Sequence, residues 1–338
     1  MAKKSSNSKR ILIGCSSIML LAIASIIGLY FYMFSGPGAL EITESHPFRS
    51  KKAQEAYLAL YDEREKTWPV PFETKMVDTA YGLTYVRISG RENAPVLVLL
   101  HGAGGNSLQW IPNIAALSQT YQVYSIDNIY DNGRSIYTRA MERPYDFVLW
   151  LDELFTNLEL GNHIHLVGLS YGGWLTSQYA IYFPERLEKI VMLAPAGTVL
   201  PISSEWIKRA ILSFLPHRYF TKSFMFWLLE DFVNQDEESR KMVDGWAEEA
   251  YVAARSFKPK SLVNPHVLSN SELLQINIPA LFVVGENEKI YSAPQAVERL
   301  NAVAPNIETT IIPNAGHDLT MAQADVVNDR ILEFFEKP

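Results

Sequence analysis

Cysteine is almost absent. Cys15 is the only one in 338 residues, so an intrachain disulfide and a cysteine metal cluster are both excluded. Excess positive charge is missing too. Lys and Arg number 30 against 37 Asp and Glu, a net charge of -7, which leaves no electrostatic footprint for nucleic acid. Neither an internal repeat nor a low-complexity tract is present, which argues against repeat architectures. His163 and His165 stand beside a strand-like run without a third ligand, so no metal site is expected there. What remains is a globular composition, 48% hydrophobic and 20% charged.

One stretch lacks charge entirely. Lys3, Lys4, Lys9 and Arg10 precede an apolar run from Ile11 to Phe34. A membrane-spanning helix needs about 20 apolar residues, and basic flanks stay in the cytoplasm. The expectation is a cytoplasmic tail over 1–10, a transmembrane anchor over 11–34 in the cell membrane, and a catalytic domain outside the cytoplasm. Tyr30, Phe31 and Tyr32 would form an interfacial belt. Cleavage near Ser35-Gly36 would instead release a secreted protein. Leu12-Ile13-Gly14-Cys15 looks like a lipobox, but the apolar run follows the cysteine rather than preceding it.

Ser35-Gly36-Pro37-Gly38 opens a linker, and spaced apolar residues between Arg49 and Lys66 read as a surface helix, giving a segment over 35–71. Beyond it, short strand signals appear at Phe72–Val77 and Leu83–Ile88, and apolar runs recur at Pro95–Leu100, Val123–Ile126, Ile164–Val167, Ile190–Leu193, Leu281–Val284 and Thr309–Ile312. Continuous runs suit strands buried on both faces of a parallel sheet. Helical patterns alternate with most of them, which predicts a mostly parallel, doubly wound α/β sheet. The rhythm fails between Leu193 and Leu281. That interval is rich in aromatics, among them Trp206, Phe224, Trp227 and Trp246, and is too long for a bare loop. It predicts a helical cap over 198–272, inserted in a core of 72–197 and 273–338.

The chemistry concentrates in three places. Gly168-Leu169-Ser170-Tyr171-Gly172 lies between a strand and a helix, the setting of a nucleophile elbow. A serine needs a base, and the base an orienting acid. Glu288 follows the Leu281–Val284 strand, and His317 follows the last one. Catalytic groups of open α/β sheets gather at those carboxyl ends. An imidazole with an ordinary pKa near 6.5 suits His317 to take the serine proton, and Glu288 would fix its tautomer. Glu286 and Asp318 compete for the acid's place. The third stretch is His101-Gly102-Ala103-Gly104-Gly105. The amides of Ala103 and Tyr171 are expected to form the oxyanion hole, with His101, Gly102 and Gly104 supporting the loop.

These motifs, in this order, resemble the α/β-hydrolase superfamily over roughly 72–335. Leu99-Leu100-His101-Gly102, the run from Asp127 through Asp131-Asn132-Gly133-Arg134-Ser135, Gly168–Gly173 and the Glu288 and His317 loops all match. The family more often has Asp where this chain has Glu288, and a residue followed by Pro where it has Ala103-Gly104. The resemblance implies a cofactor-free serine hydrolase with a helical cap, of carboxylesterase type. Its partner would be a small-molecule ester or acyl substrate, with the bilayer touched only through 11–34. Lipase, thioesterase, amidase and C–C hydrolase share the triad, and a ligand-binding protein on the same scaffold is the alternative of another class. Oligomeric state is not legible.

Overall fold

The computed structural model describes residues 42–260 and 263–337. The chain divides into two units, 1–39 with 259–262 and 40–258 with 263–338. Every element below belongs to the second.

Helix α1 (Lys51–Glu65) opens it, capped by Ser50, whose side chain accepts from Ala53 N. Strands β1 (Phe72–Thr79) and β2 (Gly82–Ser89) form an antiparallel hairpin. Then come β3 (Val96–Leu100), a 3-10 turn at Ser107–Trp110, α2 (Ile111–Leu117), β4 (Gln122–Ile126), the two-residue β5 (Ile136–Tyr137) and α3 (Pro144–Asn157). Strand β6 (Ile164–Leu169), α4 (Tyr171–Tyr182) and β7 (Leu187–Leu193) follow. Between β7 and the next strand lie α5 (Ser204–Ser213), α6 (Arg218–Leu228), α7 (Glu230–Val233), α8 (Glu237–Ser256) and α9 (Asn270–Leu273). The chain ends with β8 (Ala280–Gly285), α10 (Ala293–Val303), β9 (Ile307–Ile312), α11 (Leu319–Ala322) and α12 (Ala324–Glu336).

The sheet runs in the order β1-β2-β4-β3-β6-β7-β8-β9, with β5 on the flank of β2. From β4 to β9 all pairings are parallel. Strands β6 and β8 are buried at every position. Side chains of β3, β6 and β8 alternate between two cores: Val98, Leu100, Leu166 and Phe282 on one face, and Leu97, Leu99, Val167 and Leu281 on the other. That explains why these strands read as unbroken apolar runs. Strand β3 is the switch point, because the chain leaves it toward β4 on one side and returns at β6 on the other. A crevice therefore opens at the carboxyl ends of β3 and β6.

Helix α1 is bound into this frame. Tyr57 and Tyr61 are fully buried, and Glu65 Oε1 accepts from Arg87 Nη2 on β2 at 2.7 Å. The Arg87 guanidinium lies 4.7 Å from the Trp68 ring centre and 4.4 Å from that of Phe72. Asp127, past the end of β4, ties three segments. It accepts from Ser107 N at 2.7 Å, Arg134 N at 2.8 Å and Tyr61 OH at 3.1 Å. Gly133 has φ +136°, and a Cβ there would lie 2.5 Å from Asp127 Oδ2, so the loop wraps its carboxylate only with glycine.

The fold expectation needs one correction. The mostly parallel α/β sheet is present, but among the described residues no helix is long and apolar enough to cross a membrane. The expected anchor at 11–34 and tail at 1–10 lie outside those residues. An apolar run in sequence reports hydropathy and not a helix, so the fold is an α/β sheet with inserted helices and no membrane helix in its description.

Asp127→Ala strands three donors, two of them on the fully buried Ser107 and Tyr61. The substitution is expected to lower the unfolding free energy by about 2–4 kcal/mol, read as a lower urea midpoint. An unchanged midpoint would show that the junction is dispensable.

Candidate active site

Ser170 sits between β6 and α4 with φ 55° and ψ -113°, a strained conformation for a residue bearing a side chain. Neighbouring bonds hold it there. Ser170 N donates to Leu193 O at 2.8 Å, and Ser170 O accepts from Ala196 N and Trp174 N, both at 3.1 Å. The turn is tight on both sides. A Cβ on Gly168 would lie 2.1 Å from Gly172 O, and one on Gly172 would lie 2.2 Å from Leu100 O. Only glycine allows strand, helix and β3 to approach so closely.

The loop after β3 lies against this serine. A Cβ on Gly102 would stand 3.2 Å from Ser170 Cβ. Buried His101 braces the loop. Its Nε2 accepts from Asn128 N at 2.9 Å, which leaves the ring proton on Nδ1 to donate to Gly102 O at 2.8 Å. Asn128 Nδ2 donates to His101 O at 3.1 Å. Gly102 N donates to Gln109 Oε1 at 2.8 Å, and Gly104 N to both oxygens of Asp131 at 3.0 Å. Asn132 Nδ2 closes the clamp on Gly104 O at 3.0 Å. Among the described residues, the Ala103 and Tyr171 amides donate to no protein group. Tyr171 opens α4, where a first-turn N–H has no intrahelical acceptor. Two donors thus remain free beside Ser170.

The acid and base meet directly. His317 Nδ1 donates to Glu288 Oε2 at 2.9 Å, and the Glu288 side chain has no exposed surface. Its other oxygen accepts from Lys289 N and Ile290 N, both at 2.8 Å. The two loops are also stitched by Asn287 N donating to Ala315 O at 2.9 Å. Burial alone would lower the His317 pKa. The charge and hydrogen bond of Glu288, with the charge of Asp318, outweigh it and hold the pKa above the ordinary imidazole value.

One leg of the set is not joined. Ser170 Oγ makes no hydrogen bond among the described residues, to His317 or otherwise. Strands β6 and β9 are three spacings apart, roughly 14 Å, so the base loop must reach back across β7 and β8. Catalytic hydrogen bonds commonly tighten only once substrate is bound. The competitors lie elsewhere. Glu286 is exposed and accepts from Asn314 N at 3.4 Å. Asp318 makes no hydrogen bond to the imidazole, its oxygens accepting from Gly316 N and Phe232 N. His163 pairs with Glu188 on the protein surface.

Sequence reasoning missed Gln109, Asn128 and the roles of Asp131 and Asn132. The polar cluster after β4 was the available signal for the last three. Gln109 carried none, since its bond to Gly102 depends on the 3-10 turn between them.

A family model described as "Alpha/beta hydrolase family" matches residues 97–330. The chain belongs to the alpha/beta hydrolase family. Among curated relatives, this hydrolase is similar to the carboxylesterase nap of Bacillus subtilis (strain 168), 35% identical over 286 residues that cover 82% of this chain and 92% of the relative. It is also similar to carboxylesterase YbfK of the same organism, 34% identical over 296 residues, 87% of this chain and 98% of the relative. Among solved structures, naproxen esterase (carboxylesterase NP) of Bacillus subtilis superposes with a TM-score of 0.78 at 32% identity, covering 88% of this chain and 100% of that one.

A base must be neutral to accept a proton. With His317 as the expected base, its raised pKa would place the acidic limb of the kcat/KM profile above the ordinary imidazole value, with activity lost as pH falls through it. Glu288→Gln removes the main influence raising that pKa and leaves only the Asp318 charge against burial, so the limb moves to lower pH as the rate falls. A pH profile of ester hydrolysis checks both, and a limb unmoved by the substitution contradicts the pairing.

Proposed function

We propose that this α/β hydrolase, an ester-cleaving enzyme like its carboxylesterase relatives, works through an acyl-enzyme on Ser170. The observation that carries the reading is the buried Glu288–His317 pair at the strand edge shared with the strained Ser170 elbow.

In this scheme Ser170 Oγ attacks the ester carbonyl as His317 Nε2 takes its proton. Glu288 keeps the other ring proton on Nδ1 and balances the charge on the imidazolium. The Ala103 and Tyr171 amides receive the oxygen as it becomes negative. One such donor is worth about 10²–10³ in rate. Collapse expels the alcohol, which leaves with the proton from His317. Water then attacks the acyl-enzyme, losing a proton to His317, which passes it to Ser170 Oγ as the acyl–oxygen bond breaks and the carboxylic product departs. No cofactor enters either half.

Hydrophobic substrates fit the cap best. Helices α5 and α6 have strongly amphipathic sequences, yet α5 buries no residue fully and α6 only Thr221. Trp206, Phe224 and Trp227 are half-buried, with Trp206 and Phe224 edge-to-face at 5.9 Å between centroids. Apolar surface in that state suits an acyl chain or an aromatic acid more than a polar group.

A fluorophosphonate probe should label the wild type and not Ser170→Ala. Ser170→Ala and His317→Ala should each lower kcat for a simple ester by about 10³-fold or more. Glu288→Ala should cost far more than Glu286→Ala. Residual activity in Ser170→Ala near the wild-type level would end the reading, and equal losses from the two glutamates would remove Glu288 from its role.

A further inference from the structure

The cap meets the acid loop at Ser203, which donates to Lys289 O and Ile290 O, and meets the acid and base loops together at α7. Three consecutive cap residues make polar contacts there. Glu230 accepts from Lys289 Nζ, Asp231 Oδ1 accepts from Asn287 Nδ2 at 3.1 Å, and Phe232 N donates to Asp318 Oδ2 at 2.8 Å. Asp318 is the one contact fully buried, and its second oxygen accepts from Gly316 N at 3.0 Å. A single carboxylate thus joins the cap backbone to the residue before His317. The cap side is anchored in turn. Phe232 stacks on Trp246 with centroids 5.7 Å apart, and Trp246 packs beneath Arg64 of α1.

We infer that Asp318 is a positioning residue for His317, fixing the turn that carries the imidazole to the seated cap helix α7. This rests on the reading of His317 as the base. Two features set Asp318 apart from a merely structural cap. It is a carboxylate where a neutral acceptor could take either bond singly, although burial and the nearby Asp231 both oppose its charge. It also lies next to an imidazole that must become positive in the reaction. The charged groups acting on His317 are Glu288 from the acid loop and Asp318 from its own loop, while Asp231 and Glu230 of α7 pair with Asn287 and Lys289. Among them, Glu288 and Asp318 raise the base's pKa. Asparagine at 318 would keep one acceptor and turn an N–H toward the other backbone donor. That would loosen the turn and remove the charge together.

Asp318→Asn, Asn287→Ala and Ser170→Ala in the full chain test this against a simple ester, with active sites counted by fluorophosphonate. Asp318→Asn is expected to lower kcat per titrated site by about 10- to 100-fold, with KM within about twofold and the acidic limb moved to lower pH. Asn287→Ala, exposed and free to fold, is expected to lower kcat a few-fold with the limb unmoved. Wild-type kcat and limb in Asp318→Asn, or a loss confined to thermal stability, overturns the proposal. Should Asp318→Asn fail to fold, a wild-type kcat in Asn287→Ala overturns it. Activity surviving in Ser170→Ala would instead indict the hydrolase reading itself.

Discussion

Glu288 has no exposed side-chain surface, and the functional edge is organised around satisfying it. A carboxylate taken out of water costs several kcal/mol unless donors replace its hydration. Three do: the amides of Lys289 and Ile290 on one oxygen, and His317 Nδ1 on the other. The two amides belong to its own loop, so that oxygen is served wherever the loop goes. The other oxygen depends on a residue 29 positions away, on the turn after a different strand. Burial of the acid therefore demands that the base loop come to it. The same contact leaves the other ring nitrogen unprotonated, which is the state a base requires.

The opposite side of the crevice solves a different problem. An oxyanion loop must leave some amides without partners, and an unpaired backbone donor is unstable unless the loop cannot turn to satisfy it. Here Gly102 N and Gly104 N are taken by Gln109 and Asp131, while His101 locks the carbonyl between them and the elbow. Ala103, lying between two tethered glycines, has nowhere to rotate. Behind this loop, Asn106 Nδ2 donates to Tyr57 OH at 3.1 Å and to Glu249 Oε1 at 3.0 Å, joining α1, the loop and cap helix α8. Arg64 completes the pairing with Glu249 at 3.0 Å. The helix preceding the sheet is thus part of what keeps the loop rigid, although family matching begins only at 97.

What could be read in the sequence follows from what is local. Strands β3, β6 and β8 were legible because burial on both faces leaves an unbroken apolar run. The order of Ser170, Glu288 and His317 along the chain, each on a loop past an apolar run, was enough to expect them on one edge. Strand β5 was not legible, since two residues carry no period and exist as a strand only through β2. Helix α7 is one turn long, too short to show a period, and its place is set by distant partners: Asp318, Asn287 and Lys289 for its polar groups and Trp246 for Phe232. Helix α9 did carry a local sign, the Ser269…Glu272 capping box, too short to stand out. Clamps such as Asp131 on Gly104 join residues 27 apart, and no spacing rule announces them. The run at 11–34 is the reverse case, a strong local signal with no described element to set beside it.

The cap differs from the sheet in kind. Strand side chains in the core are sealed, and their identity is dictated by volume. Helices α5 and α6 carry as strong an apolar stripe but leave it half-covered, with Ile207 44% and Tyr219 65% exposed. Charged pairs such as Arg218–Glu248 and Lys222–Asp244 fasten these helices from outside. Exposed ion pairs contribute little to stability, so the outer cap is held weakly. Its inner edge, at α7 and α8, is held by buried polar bonds to the loops of His317 and Ala103 and by exposed ones to the loop of Glu288. Under the proposed mechanism, a cap fixed beside the triad and loose at the periphery would admit acyl groups of differing shape while the reacting groups stay in register, so that substrate range and catalytic geometry would be governed by different parts of one insertion.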